Sequence, residues 1–177
     1  DDIRHEESSA QKEILSEFIH LTKVLGRIEC FDVAHISATF PTASMVTFIN
    51  GEKDVTFYRH FRIRQQKGAD DIASLREVAK RRAKHFSDWG IPDLIIVDGG
   101  RGQVNVFASE MKEANIPVVG LAKRFETLII PQPNSLFKEV TVTGPSLNLL
   151  QRLRNEAHRF ARRYHHKLIQ KSLIPQK

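Results

Sequence analysis

The sequence predicts an α/β domain with a mixed five-stranded sheet flanked by helices. In the first half of the chain, segments alternate polar and apolar residues around Asn50-Gly51, a strong hairpin signal, which predicts an antiparallel meander. In the second half, helical periodicity alternates with short apolar runs such as "DLIIVD" (93–98), typical of buried central strands. Antiparallel strands followed by helix–strand–helix–strand indicate a mixed sheet.

The elements follow in order along the chain. Residues 1–26 space Leu15, Phe18 and Ile19 as a helix does, and we interpret them as a lead-in helical segment outside the core that stops at Gly26. Residues 27–177 then form the domain. Its predicted strands are 27–36, 43–49, 55–63, 93–98 and 116–123, with a short terminal strand pair in "FETLIIP" and "LFKEVTV". Its predicted helices are 70–86, 102–114 and a long last helix from Pro145 or Ser146.

Composition narrows the class of protein. The 177 residues are 41% hydrophobic, enough for one compact domain, and no apolar run approaches the roughly 20 residues of a membrane helix. No signal-peptide pattern opens the chain, and the single cysteine, Cys30, excludes an internal disulfide, which agrees with a reducing cytosol.

The charge of the chain is +6, and its basic residues are clustered in "YRHFRIRQQK" (58–67), "KRRAKH" (80–85), "AKRF" (122–125) and "HRFARRYHHK" (158–167). Clustered cations gain affinity for polyanions by releasing counterions. The clusters therefore favour a nucleic-acid partner over a domain that is merely basic.

Asp32 lies inside the first predicted strand, on a face it shares with Ile28, Cys30 and Ile36. A buried carboxylate without a partner is costly or stays protonated. It either pairs with a neighbouring helix or binds a ligand.

Asp98 ends the apolar run "LIIVD" and precedes Gly99-Gly100. In open α/β sheets, ligands gather at the carboxyl ends of such strands, and glycines allow a sharp turn and a close approach. The alternative is a turn aspartate that caps the helix beginning near Gly102.

Asp32 and Asp98 are more informative as a pair. If strands 27–36 and 93–98 are neighbours, the two carboxylates face each other across one strand gap of ~5 Å. Two acids so close share a proton or a cation, and carboxylate oxygens suit Mg²⁺ or Mn²⁺. Such a metal would hold a phosphate and activate a water.

His158 lies in the last helix, just off the apolar stripe that includes Leu150, Leu153 and Ala157. From there its imidazole could act as a third metal ligand or as a general acid or base. The alternative is a boundary histidine without a functional task.

Five blocks in order and spacing resemble the C-terminal half of UvrC, the nuclease subunit of bacterial nucleotide-excision repair. They are "RIECFDVAHI", "GADDIASLREVAKRR", "IPDLIIVDGGRGQVN", "IPVVGLAKRFE" and "LNLLQRLRNEAHRFA". The resemblance covers about Arg27 to Lys167, which is most of the chain.

The resemblance implies an RNase H-like fold and a metal-dependent cut of damaged DNA on the 5′ side of the lesion, in the bacterial cytoplasm. It implies an Asp-Asp-His catalytic set, which matches Asp32, Asp98 and His158 as metal ligands. Asp71 of "GADD" is a further catalytic candidate, although Asp70 is equally placed. The residues implied in DNA binding or site support are Arg101, Gln103, Asn105, Lys123, Glu156 and Arg159. UvrB is the implied partner of the full-length protein, its binding segment is not apparent in this chain, and the domain is expected to be monomeric.

The chain departs from the family pattern in places. "FDVAH" replaces the more usual "FDISH", "DGGRGQ" replaces "DGGKGQ", and Gly144 and Asn155 stand where an acid is usual. No GIY-YIG block or helix-hairpin-helix module is found, so the sequence is typical of one domain of a larger protein.

Two other functions remain open from the residues. One is another RNase H-like nuclease of the resolvase or transposase type, which would complete its site with an acid of the last helix such as Glu156. The other is a non-catalytic basic module that binds nucleic acid or a protein. A nucleotide-binding domain is disfavoured because no G-x-x-x-x-G-K-[ST] motif is present.

Overall fold

The computed structural model describes residues 2–21, 24–36, 40–64, 71–122 and 126–173, with the backbone alone at 34–36, 40, 41, 71 and 172. The helices are α1 (Asp2–Ile19), α2 (Asp71–Ala83), α3 (Phe86–Trp89), α4 (Arg101–Met111) and α5 (Gly144–Leu173). The strands are β1 (Arg27–Ile36), β2 (Phe40–Ile49), β3 (Glu52–Lys53), β4 (Arg59–Arg62), β5 (Leu94–Asp98), β6 (Val118–Leu121), β7 (Thr127–Pro131) and β8 (Phe137–Thr141). Within these described ranges, no helix is both long and apolar enough to span a membrane.

The sheet is mixed, as predicted, but it is larger than five strands. Across the described ranges it contains eight strands in the order β3-β2-β1-β5-β6-β7-β8, with β4 also paired to β2. Strand β1 runs antiparallel to β2 and parallel to β5, and β6 runs parallel to β5. The sheet grows because the terminal pair β7–β8 continues it antiparallel from β6.

The third strand of the meander is interrupted, so the predicted strand 55–63 is only partly correct. The hairpin at Asn50-Gly51 forms with positive φ at both residues, 52° and 82°. Asp54 then accepts a hydrogen bond from the Thr56 amide and caps a 3-10 turn, Val55–Phe57. The chain returns to β2 only at β4.

The sheet has an apolar cluster on each face. One contains Ile28 and Cys30 of β1 with Leu150 and Leu153 of α5, and the other contains Phe31 with residues of α2 and α4. Because side chains alternate along a strand, Asp32 continues the row of Ile28 and Cys30 and therefore faces α5.

The amino-terminal helix forms as predicted, but it ends at Ile19 rather than at Gly26, and His20 has a positive φ of 53°. It also contributes to the core, contrary to the sequence interpretation, since Leu15 is fully buried. Lys12 Nζ donates to Asn50 Oδ1 at 2.8 Å and ties the helix to the hairpin.

A buried ion pair joins β1 to α2 on the sheet face opposite to Asp32. Arg82 Nε and Nη2 donate to the two Glu29 carboxylate oxygens, each at 2.7 Å, and both side chains are fully buried. Arg27 Nε adds a bond to Glu29 at 3.0 Å, and Arg82 Nη2 also donates to the Gly90 carbonyl. This pair anchors the strand that carries Asp32.

Candidate metal centre

The two aspartates lie at the carboxyl ends of neighbouring parallel strands. The register pairs Cys30 with Ile96 and Phe31 with Val97, and Asp32 and Asp98 are the next residues on each strand. Both side chains point towards α5, as Cys30 and Ile96 do two residues earlier. The sequence prediction that these carboxylates meet across one strand gap is therefore confirmed.

Helix α5 brings His158 to the same point. Leu153, Ala157 and Ala161 are buried against the sheet, which leaves the neighbouring His158 at the edge of the buried stripe. Its Nε2 lies 3.1 Å from Asp98 Oδ2 and 3.6 Å from Asp32 Oδ2. One donor atom from each of the three residues lies within 4.8 Å of the others. Three residues from distant segments thus form one compact group.

The electrostatics of this group favour a cation. Asp32 is only 8% exposed, and burial raises the pKa of its carboxyl group, with His158 opposing this effect and Asp98 adding to it. Burial is the main cause that raises the pKa of the Cys30 thiol, and the negative charges of Asp98 and Asp32 raise it further. The ionisation of both carboxylates next to the apolar cluster that contains Cys30 costs free energy unless a positive charge lies close to them.

Arg154 is a site residue that the sequence analysis did not assign. Its Nε lies 3.5 Å from Asp98 Oδ2, and its side chain is mostly buried. It stands one turn before His158 on α5, so its i, i+4 spacing from His158 was the available signal. Its guanidinium partly neutralises Asp98. Because the Asp98 carboxylate is directed at Arg154 and His158 of α5, a role as the cap of α4 is disfavoured.

The turn after Asp98 is shaped by Gln103 and the glycines. Gln103 Oε1 accepts a hydrogen bond from the Gly100 amide at the start of α4. A Cβ on Gly99 would come within 2.8 Å of the Gln103 side chain, so Gln103 would have to move and lose its present contact with the turn. Gln103 therefore contacts the turn that follows Asp98, and its role in site support stays a prediction.

Glu156, Arg159, Arg101 and Asn105 lie outside the three-residue group. Tyr58 Oη donates to Glu156 Oε1 at 3.2 Å, and Arg159 Nε donates to Glu156 Oε2 at 3.1 Å. Hydrogen bonding to Arg159 is the main cause that lowers the pKa of Glu156. Arg101 pairs with Glu139 on the surface. Asn105 is exposed, Asp70 and Lys123 lie outside the described residues, and Asp71 is described by its backbone alone, as the first residue of α2.

The fold is of the RNase H-like class. A crystal structure of an Endonuclease V variant from Ciona intestinalis, in complex with a 23mer DNA containing an inosine followed by a ribo-adenosine, aligns with a TM-score of 0.54. The alignment covers 95% of this chain and 99% of that one at 11% sequence identity, which shows a shared fold alone.

Sequence comparison shows the family to which the chain belongs. The profile described as the UvrC RNAse H endonuclease domain matches residues 16–161, and the chain belongs to this family. UvrABC system protein C of Chlorobaculum tepidum is 44% identical over 160 residues, covering 88% of this chain and 25% of that protein. The corresponding protein of Syntrophotalea carbinolica is 37% identical over 191 aligned positions, covering 97% and 31%. The chain thus spans about a quarter of the length of the Chlorobaculum relative.

Proposed function

We propose that the chain is a metal-dependent DNA endonuclease domain that makes the 5′ incision of nucleotide-excision repair. The observation that carries the proposal is the group of Asp32, Asp98 and His158, whose donor atoms lie within 4.8 Å at the edge of the sheet. Membership of the UvrC RNAse H endonuclease domain family supports the same reaction class.

The three side chains fit Mg²⁺ or Mn²⁺. The carboxylate oxygens of Asp32 and Asp98 suit both ions, and the His158 imidazole offers a nitrogen as the third ligand. Burial raises the pKa of Asp32 despite the opposing effect of His158, and the charge of a divalent cation would favour its ionised form. When bound, such a cation supplies a Lewis acid for the scissile phosphate and lowers the pKa of the attacking water.

The residues of the chain have separate tasks in this proposal. Asp32 and Asp98 bind the cation, and the apolar cluster between the sheet and α5 excludes water from the inner side of the two carboxylates. His158, half exposed, completes the ligand set or moves a proton at its Nε2. Arg154 orients the Asp98 carboxylate from one turn earlier on α5.

DNA is held by its backbone charge in this proposal. Cations of the 58–67 segment, Lys123 and Arg124, and the carboxyl-terminal half of α5 would contact phosphates without reading bases. Such contacts suit lesions of varied chemistry. Damaged DNA and UvrB are the proposed partners of the whole protein in the bacterial cytoplasm, with this domain acting as a monomer.

A nicking assay on supercoiled plasmid with Mn²⁺ tests the proposal. Asp32→Asn and Asp98→Asn should each lose nicking by at least about 100-fold. The matched control, Asp88→Asn, changes a largely exposed aspartate paired with His85 and should nick normally. Undiminished nicking by both site variants would remove the proposal.

Two further measurements separate the other functions. Calorimetric titration with Mn²⁺ should show binding, and His158→Ala should lower the affinity. A non-catalytic module would bind no divalent cation at this site. In a resolvase-type site, Glu156→Gln would abolish nicking and His158→Ala would not. The contacts of Glu156 with Tyr58 and Arg159 favour the opposite result.

A further inference from the structure

The basic cluster "KRRAKH" (80–85) has no task in the proposed catalytic centre. Most of it lies on α2, whose buried side faces the sheet through Leu75, Val78 and Ala79. The outer side forms an open groove of about 630 Å³. We call it the α2 groove, lined by Arg64, Ile72, Ala73, Arg76, Glu77, Lys80, Arg81 and Lys84.

The α2 groove is strongly positive. Among the described residues, its lining has five cationic side chains, Arg64, Arg76, Lys80, Arg81 and Lys84, and a single carboxylate, Glu77. The outward positions recur three or four residues apart, so the cations form a stripe along the helix.

The charges in this stripe are only partly neutralised from within the chain. Arg76 pairs with Glu110 of α4, and the Glu77 carboxylate accepts hydrogen bonds from the Arg64 amide. Lys80 and Lys84 are exposed, and among the described residues no carboxylate pairs with either. Two cations are therefore available to a ligand.

The α2 groove lies on the sheet face opposite to α5, and the first turn of α2 contacts α4. A Cβ on Gly102, four residues after Asp98, would lie 3.2 Å from Ile72 Cδ1 at the start of α2. From Ile72 to Lys84 the chain rises about 18 Å along the helix axis. That length corresponds to about five base-pair steps of duplex DNA.

We propose that the α2 groove binds the phosphate backbone of duplex DNA away from the cleaved bond. This inference rests on the proposed nuclease function and adds a second contact surface on the other face of the sheet. In the part of the chain that the structure describes, the groove has a row of cations and only Ile72 and Ala73 as apolar lining. This described lining contains no aromatic anchor of the kind on which tight protein–protein contacts depend, so a phosphate backbone fits it better than an acidic protein does.

Salt-dependent binding tests the groove separately from catalysis. Fluorescence anisotropy of a short labelled duplex is measured in EDTA between about 50 and 200 mM KCl. Lys80→Gln/Lys84→Gln should reduce the slope of log K against log salt by about 1.8, because each phosphate that is no longer neutralised lowers it by about 0.9. The matched control, Lys112→Gln/Lys138→Gln, removes two exposed lysines elsewhere and should keep the slope.

Each result of this experiment either supports or contradicts DNA binding by the α2 groove. Equal slopes for the two double variants, or no binding of the duplex by the unsubstituted chain, would contradict the proposal that the α2 groove binds DNA. Preferential binding of poly-glutamate that only Lys80→Gln/Lys84→Gln removes would assign an acidic protein instead and also overturn it. An unchanged slope with nicking still dependent on Asp32 would reject the groove and keep the nuclease. A reduced slope without any nicking would reject the nuclease and keep the binding surface.

Discussion

The buried pair of Glu29 and Arg82 is expected to be one of the main determinants of stability in the domain. Replacing Glu29 by Gln removes the negative charge and leaves the Arg82 guanidinium fully buried beside an amide. The two charge-assisted hydrogen bonds are each worth about 1.5–3 kcal/mol, or about 3–6 kcal/mol together. Breaking one side of a buried ion pair costs about 3–5 kcal/mol, which agrees. We therefore expect Glu29→Gln to lower the free energy of unfolding by about 3–5 kcal/mol.

The exposed pair of Arg101 and Glu139 provides the matched control. Both of these side chains are more than half exposed, so water screens the pair and Glu139→Gln should cost about 0–1 kcal/mol. Urea denaturation followed by circular dichroism measures both variants, and equal m-values allow the midpoints to be compared.

A double-mutant cycle tests the cause of the loss. In Glu29→Leu/Arg82→Met both charges are absent, so its loss should be smaller than the sum of the two single losses by about 2 kcal/mol or more. A cost of Glu29→Gln no larger than that of Glu139→Gln, or additive losses in the cycle, would refute the reasoning that the pair is buried and charged.

Three further outcomes are expected. Because burial raises the pKa of Cys30, its thiol should react with Ellman's reagent only at the rate of unfolding; rapid labelling of the native chain would contradict this. Burial lowers the pKa of His60 to about 4, so the unfolded state binds the extra proton first as pH falls below about 6.5. Urea melts should therefore show stability present near pH 7 and declining towards pH 4, with a shallower decline in His60→Gln; identical pH profiles would count against it. In Gly120→Ala the new Cβ would overlap Val104, so unfolding should become easier by about 1–3 kcal/mol, and Val104→Ala should restore part of the loss, which a thermal melt of the double variant checks.

The elements that the sequence predicted best are those whose patterns have one explanation. The run "LIIVD" became β5 because apolar residues on both faces require cover on both faces, and Asn50-Gly51 became a hairpin because both residues accept positive φ. The split of the third strand coincides with two hydrogen bonds, from the Thr56 amide and hydroxyl to Asp54, which a strand pattern does not reveal. The burial of Leu15 depended on packing between α1 and α5, which periodicity alone does not reveal.

The candidate site could be predicted from the sequence only as far as the order of the strands in the sheet could be predicted. Asp32 and Asp98 end as neighbours because β1 and β5 pair in parallel, and the side-chain alternation then sets both on the face of α5. His158 and Arg154 reach the aspartates from the edge of a helical stripe that is buried through Leu153 and Ala157. A helix pattern gives the angle of each side chain around the axis but not the height at which the helix crosses the sheet. That height, set here by the packing of α5 on β1 and β2, decides which turn of the helix supplies the imidazole and which supplies the guanidinium. A charge such as Arg154 is therefore assigned to a site only after the packing of the helix on the sheet is known.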